Sequence, residues 1–317
     1  MLKIFDAVTC VGPLRPETSL TAVRSLQLHA GQRKIFVVTS RKLFPFFEDS
    51  LEPNGPLHLV DEDEVIEGVS LQAIREYLEA RAGAGARAGW YFQQFLKMAM
   101  CGHPEIGGHY LVWDSDTVAL RPLAFFDADG RVLVSPKGER HPPYFVALRK
   151  LLGIERQVSF SFIAEHLMID QRYMLELIEA LRGSNSRKSR DSWVWRVLDA
   201  ITDRDLGGSG FSEYETYGNF IAARYPDSFR TRRLKSTRHA GLRFGSPPAR
   251  EPIHFLLLSG HSVATFEASP RLRPVIAFYR AWARAVYSVS CFASRWSSRS
   301  AARLAAAAEL CPPSRRS

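Results

Sequence analysis

Cysteine is scarce in this chain of 317 residues: Cys10, Cys101, Cys291 and Cys311 lie far apart and make no metal-ligand spacing. They read as free thiols in a reducing compartment rather than as a disulfide framework. Long apolar runs are also missing, and no stretch reaches the ~18 residues of a membrane span. The first residues lack the basic region and long apolar segment of a secretory signal, so none is expected. No internal repeat is found. These absences point to a cytoplasmic protein, with a peripheral position on the inner face of the membrane as the alternative.

Charge is unevenly spread. The formal net charge is +9, yet residues 271–317 hold nine Arg, no Lys and one acid, Glu309. That segment carries +8 and leaves +1 for residues 1–270. Aromatic and apolar residues (Phe278, Tyr279, Trp282, Val286, Tyr287, Phe292, Trp296) sit among its arginines. One reading is a basic amphipathic helix at an anionic membrane surface. The other is a solvent-exposed helix packed on the body, followed by a frayed Ser/Ala/Arg end. Nucleic acid is not an expected partner, since no recognition motif accompanies the charge. The expected organisation is a body over 1–270 and a basic, partly helical tail over 271–317.

An apolar content of 46% supports a sizeable core. The N-terminal half alternates strand and helix signals. Strands are expected over Leu2–Cys10, Lys34–Thr39, Leu57–Val60, Tyr110–Trp113 and Arg131–Ser135. Helices are expected over Thr18–Leu28 (capped by Thr18 or Ser19), Ser70–Arg81 and Trp90–Met100. Further on, the pattern predicts a strand over Val158–Ile169 and a helix capped by Asp170 that runs to Leu181. A basic loop over 183–190, helices over 191–202 and 212–223, and a last strand over Ile253–Leu258 follow. Alternation of this kind favours an α/β fold with a mainly parallel sheet flanked by helices.

Four Asp-x-Asp pairs occur where chance gives about 0.6. Asp61/Asp63 belong to an acidic loop, Asp127/Asp129 precede a Gly turn, and Asp203/Asp205 precede the Gly207-Gly208 break. Only Asp114/Asp116 ends a buried-looking strand, Tyr110-Leu111-Val112-Trp113. Residues i and i+2 of a strand face one way, so these carboxylates converge beyond its end. Ligands of open α/β sheets bind there. Two carboxylates with substrate phosphate oxygens suit Mg²⁺ or Mn²⁺. On the preceding helix, Gln93 and Lys97 share a face, with Gln94 beside them. From there Lys97 reaches a diphosphate as a point charge.

The run Gly89-Trp90-Tyr91-Phe92-Gln93-Gln94-Phe95-Leu96-Lys97, followed by Tyr110-Leu111-Val112-Trp113-Asp114-Ser115-Asp116-Thr117-Val118, resembles the GT-A-type nucleotide-sugar glycosyltransferases. More narrowly it resembles an uncharacterised bacterial group of them. The segments Ser161–Asp170 and Phe211–Phe220 fit the same pattern, and the resemblance spans about residues 2–265. It implies a GT-A-like (Rossmann-like) fold and a metal-dependent transfer from a nucleotide-sugar, first of all a UDP-linked one, to a glycan, lipid-linked or other hydroxyl acceptor. Bacterial envelope or exopolysaccharide assembly is the context it suggests. It makes Asp116 the metal ligand and Asp114 the ribose or second metal contact. It sets Thr9 and Cys10 by the base, and Gln93, Gln94 and Lys97 by the diphosphate or donor sugar. Glu165 and His166 fall where relatives line the donor sugar with an Asn-Ala-Gly-like segment, from which this chain departs. A late histidine often completes the metal shell, and His261, rather than His254, is the candidate.

Glu213 and Glu215 are candidate general bases, since an inverting transfer needs a carboxylate to take the acceptor's proton. Ser212-x-x-Glu215 is also a capping-box pattern, which favours Glu213. Two other readings stay open. Asp114-Ser115-Asp116-Thr117-Val118 also fits a haloacid-dehalogenase-type phosphatase with Asp114 as nucleophile and Asp199 and Asp203 as later acids. The third is a non-catalytic nucleotide-sugar or glycan binding protein.

Overall fold

The computed structural model describes residues 3–50, 56–183, 192–267, 273–294 and 297–311. Leu2, most of the loop expected over 183–190, Trp296 and the end of the chain at 312–317 lie outside the described residues. The first half contains β1 (Asp6–Val11), α1 (Pro16–His29), β2 (Ile35–Thr39), α2 (Phe44–Ser50), β3 (Leu57–Asp61), α3 (Leu71–Ala82), α4 (Ala88–Ala99), β4 (His109–Trp113) and β5 (Thr117–Ala119). After it come β6 (Val132–Val134), α5 (Pro142–Leu152), β7 (His166–Asp170), α6 (Gln171–Arg182), α7 (Ser192–Ala200), α8 (Asp203–Leu206) and α9 (Glu213–Arg224). The chain then adds β8 (Phe229–Thr231), β9 (Ser236–Thr237), α10 (Ala240–Phe244), α11 (Arg250–Leu258), β10 (Val263–Thr265), α12 (Arg273–Ala293) and α13 (Ser298–Leu310).

The main sheet has the order β3-β2-β1-β4-β7; its first four strands are parallel and β7 runs antiparallel to β4. β1 and β2 are buried along their whole length, as strands covered by helices on both faces must be. The chain steps outward from β1 to β3 and then returns to place β4 on the other side of β1. That reversal creates a crevice beyond the carboxyl ends of β1 and β4. At the opposite, amino-terminal end of these strands Asp6 ties β1 to the loop before β4: its buried carboxylate accepts both Arg33 Nε and Nη2, at 3.0 and 2.8 Å, and the Gly107 N–H at 2.9 Å. A smaller sheet, β5-β10-β9, continues from the end of β4.

Caps follow local chemistry. Ser70, Asp170 and Ser212 each accept a backbone N–H of the first turn of α3, α6 and α9. For α1 the expected cap at Thr18 or Ser19 is not formed. Pro16 sets the first turn and both hydroxyl residues are buried within the helix. β1 begins at Asp6 rather than Leu2. The strand expected over Val158–Ile169 is formed only from His166, because Glu165 adopts φ 60° and breaks the extended run. The segment Ile253–Leu258 is helical, part of α11, and the last strand is β10. A short apolar run does not by itself separate a strand from a buried helix; here Ile253, Leu256 and Leu257 are the buried positions, one face of a helix.

The main core surrounds the large sheet. A second core joins Val118, Leu120, Ala264 and Phe266 to Phe244, Ile253, Leu256, Ala283, Ala307 and Leu310. The helices of the 271–317 segment therefore share a core with α10 and α11. All four cysteines are free thiols.

Packing is tight where α9 crosses the 161–165 segment. A Cβ on Gly218 would lie 2.1 Å from the ring of Phe162, which is fully buried. Gly218→Ala is expected to destabilise the fold by roughly 1–3 kcal/mol. Urea unfolding would check it, and an unchanged midpoint would contradict this packing.

Candidate active site

Two clefts open in the crevice beyond β1 and β4. The larger, about 300 Å³, is lined by Gln93, Gln94, Lys97, Asp114, Asp116, Glu165, Glu213 and Glu267 among others. The smaller, about 250 Å³, is lined by Cys10–Pro13, Glu62, Leu71, Phe92, Gln93 and Leu96. Gln93 borders both. The fold therefore brings together Asp114, Asp116, Gln93, Gln94, Lys97, Glu165 and Glu213.

Lys97 is the centre of the larger cleft. It is 4% exposed, and its Nζ donates to Asp114 Oδ1 at 2.7 Å and to Glu213 Oε1 at 2.8 Å. Burial disfavours its charge, but the two carboxylates outweigh burial and hold Lys97 well above its usual pKa. Tyr214 donates its hydroxyl to Asp114 Oδ1 at 2.9 Å. One turn before Lys97, Gln94 Oε1 accepts the Glu213 N–H at 3.2 Å while its Nε2 donates to the Trp90 carbonyl at 3.1 Å. The two polar residues of α4 thus tie the start of α9 to the end of β4.

Asp116 stands on the facing wall. Its backbone carbonyl accepts the Phe266 N–H at 2.8 Å, which sets Glu267 beside it in the cleft. Burial, then the charges of Asp114 and Glu267, push the Asp116 carboxyl up to about 7. Crowded carboxylates of this kind gain from a cation. Among the described residues no three His, Cys, Asp or Glu side chains form a protein-only metal cage. The residues fit an ion of the Mg²⁺ class, which keeps part of its shell for water and substrate oxygens.

The opposite wall depends on a strained residue. Glu165 sits in the left-handed region, a conformation that a side chain other than Gly adopts at a cost. The turn lets its carbonyl accept the Asp114 N–H at 3.0 Å. Its carboxylate meets Lys137 at 3.2 Å and Arg238 at 3.9 Å. Burial raises the Glu165 pKa against the pull of Lys137. Arg238 also pairs with Glu139. Trp90 forms part of the cleft under the Arg87 guanidinium, 4.3 Å above its ring, and Arg87 Nε donates to the Gly208 carbonyl at 2.8 Å.

Four expected residues lie elsewhere. Glu215 is buried and binds Ser161 and Asn219, because one residue along a helix from Tyr214 turns its side chain off the cleft. His166 is buried against Trp113 (5.2 Å) and Phe125 (6.2 Å), with Arg232 Nη2 3.4 Å from its Nε2. His261 is at the wrong end of β10. Thr265 pairs with Thr117, next to Asp116, while Val263 pairs with Ala119, and the His261 carbonyl accepts from Arg121 at 3.1 Å. Glu267, not a histidine, lines the cleft beside Asp116. Thr9 is 1% exposed within the sheet and lines neither cleft, whereas its neighbour Cys10 lines the smaller one. Burial pushes the Cys10 thiol up to about 12.

Glu267, Arg238, Glu139 and Tyr144 were not expected from the sequence. Glu267 had a signal, an acid two residues after a short apolar strand, but placing the last strand at 253–258 hid it. The acids required by the phosphatase reading are remote: Asp199 and Asp203 are exposed and held by Tyr77 and Arg81. Asp114 also follows the fourth strand of the chain, not the first. That reading is excluded.

Fold and site define an α/β protein with an acidic cleft at the reversal point of a mainly parallel sheet. The model of a family of unknown function, DUF6492, matches residues 18–243, and the chain belongs to that family. No curated protein matches it. Among solved structures it is similar to the galactosyltransferase LgtC in complex with donor and acceptor sugar analogues, at 9% identity and a TM-score of 0.44, over 88% of this chain and 95% of that one. It is also similar to mouse xyloside xylosyltransferase 1 (11%, TM-score 0.38, 85% and 96%). A third is the glycosyltransferase GlyE of Streptococcus pneumoniae TIGR4 (11%, TM-score 0.36, 91% and 64%).

Lys97→Met strands two carboxylates, one of them buried, and is expected to cost roughly 3–5 kcal/mol. Adding Glu213→Gln to it recovers part of that loss in urea unfolding; a purely additive double variant would contradict the shared pairing. His166 gives a pH test. Burial, then Arg232 and Lys137, push its ring down to about 3 from the 6.5 of an exposed ring. Below about pH 6.5 the unfolded chain binds a proton that the native state refuses, so stability falls as pH falls through that window. Between pH 7 and 5 this contributes about 2 kcal/mol of loss. His166→Gln should lose that much less over the same range, and equal losses would show that the buried ring accepts the proton.

Proposed function

We propose that this chain is a metal-dependent glycosyltransferase that moves a sugar from a nucleotide-sugar to a hydroxyl acceptor. The observation that carries this reading is the meeting of Asp114, Asp116, Lys97 and Glu213 in one cleft, joined through Gln93 to a second cleft at the end of β1. The resemblance of the Gly89–Lys97 and Tyr110–Val118 runs to GT-A-type enzymes supports it. In this reading the smaller cleft takes the base between Pro13, Leu71 and Phe92. Gln93 borders the diphosphate, and Asp114 is oriented by Lys97 and Tyr214 toward the ribose.

Asp114 and Asp116, with Glu267 beside them, would hold Mn²⁺ or Mg²⁺, which supplies charge neutralisation for the departing diphosphate. Lys97 pairs with both Asp114 and Glu213. Its role is to position those carboxylates rather than to bind phosphate directly. Glu213 and Glu165 are the carboxylates that face the reacting sugar from two sides. Glu213 is the base expected in an inverting transfer, and its tie to Lys97 holds it in place. Trp90 and Tyr144, near the mouth, form the surface for a sugar ring of the acceptor, which is a glycan, a lipid-linked sugar or another hydroxyl compound.

A nucleotide-sugar bound at a hundred times its Kd should raise stability by about 2.7 kcal/mol. A panel of nucleotide-sugars, led by UDP-linked ones, is therefore expected to raise the melting midpoint, and more with Mn²⁺ than without. Asp116→Asn should keep the unliganded midpoint, lose the Mn²⁺-dependent part, and slow transfer by about a hundredfold or more. No shift with any nucleotide or nucleotide-sugar sinks the proposal. Shifts without transfer or donor hydrolysis assign the protein to the non-catalytic binders instead.

A further inference from the structure

Helix α12 has two unlike faces. Its inner face seals the second core: Ala283 is buried, Tyr279 meets Phe244 at 5.9 Å, and Tyr287 meets His254 at 5.4 Å. The Arg280 Nε donates to the Phe244 carbonyl on the same side. Its outer face carries Val275, Phe278, Trp282, Val289 and Phe292, which are 40, 69, 48, 69 and 70% exposed. Spacings of three, four, seven and three put them on one stripe of the helix. Half of the large apolar side chains exposed among the described residues lie on this one helix. From Val275 to Phe292 the stripe is about 26 Å long. Scattered exposed apolar residues need no explanation, but a continuous stripe does.

Charge selects the occupant. The 271–317 segment has nine arginines and a single acid. A second copy would bring arginine-rich helices against each other with almost no acid to offset them. An anionic lipid surface offers headgroup charge to the arginines and an acyl boundary to the aromatic stripe. No helix among the described residues is long and apolar enough to cross a membrane, so α12 would lie on one. We propose that the outer face of α12 is a docking surface for an anionic bilayer, with the helix lying in the interfacial plane. One face of α12 is then packed on the body and the other meets the bilayer, whereas the Ser/Ala/Arg end expected to fray is helical over Ser298–Leu310, with Ala307 and Leu310 buried in the second core. The helix shares its core with Val118, Ala264 and Phe266 of the small sheet that leads to Asp116 and Glu267, so a docked α12 and the cleft belong to one packed unit. The proposal does not depend on the sugar-transfer reading.

The test is co-sedimentation of the full chain with vesicles of equimolar phosphatidylglycerol and phosphatidylcholine, against phosphatidylcholine alone. The chain should bind the anionic vesicles and release them as salt rises. Phe278→Ser with Phe292→Ser should weaken binding at least about tenfold at an unchanged melting midpoint. Should that pair unfold, Val289→Ser alone reads the same face and should still weaken binding measurably. Failure of the unaltered chain to sediment, equal binding to neutral vesicles, or equal binding by the folded variant overturns the proposal. So does a dimer in gel filtration that the same substitutions dissolve without any vesicle binding, which would assign the stripe to a second copy.

Discussion

The site depends on one buried cation. Lys97 stands between Asp114, at the end of a central strand, and Glu213, at the start of a helix far along the chain. Without it the two carboxylates would face each other across the cleft with no cation between them. The ammonium also fixes distance: with Tyr214 and Gln94 it locks α4, β4 and α9 to one another. Replacing it with an apolar side chain would leave the cleft's shape to weaker packing and its charge unbalanced.

Around that cation the cleft remains acidic. Asp116, Glu267, Glu139 and Glu165 add negative charge, with Arg238 and the neighbouring Lys137 in partial compensation. Burial, helped by the charges of Asp114 and Glu267, raises the Asp116 carboxyl to about 7. In the proposed reading a divalent cation shared with the donor's phosphate oxygens would offset that charge. The left-handed Glu165 belongs to the same arrangement, since its turn both sets the start of β7 and supplies a carbonyl to the Asp114 amide.

Much of the site was readable because its residues are close in sequence. Gln93, Gln94 and Lys97 fall within two turns of one helix, and Asp114 and Asp116 within one strand end, so periodicity placed them together. Glu213 was readable through its cap, Ser212. Glu267, Arg238 and Glu139 were not, because they reach the cleft only through the pairing of β5 with β10 and the packing of later loops. His261 and Glu215 were misplaced for related reasons. A helix taken as a strand displaced the first by the length of an element, and one residue of helical rotation turned the second away.

The sequence by itself determined the alternating α/β order, the parallel sheet, the apolar strand that ends in two aspartates and the arginine-rich character of the final segment. These are local properties, written in periods of two and 3.6 residues and in charge. Tertiary structure decided which carboxylates meet, which ones a lysine neutralises, and which face of α12 is left uncovered. Those outcomes turn on strand register, helix rotation and burial between segments more than a hundred residues apart, and no local pattern encodes them.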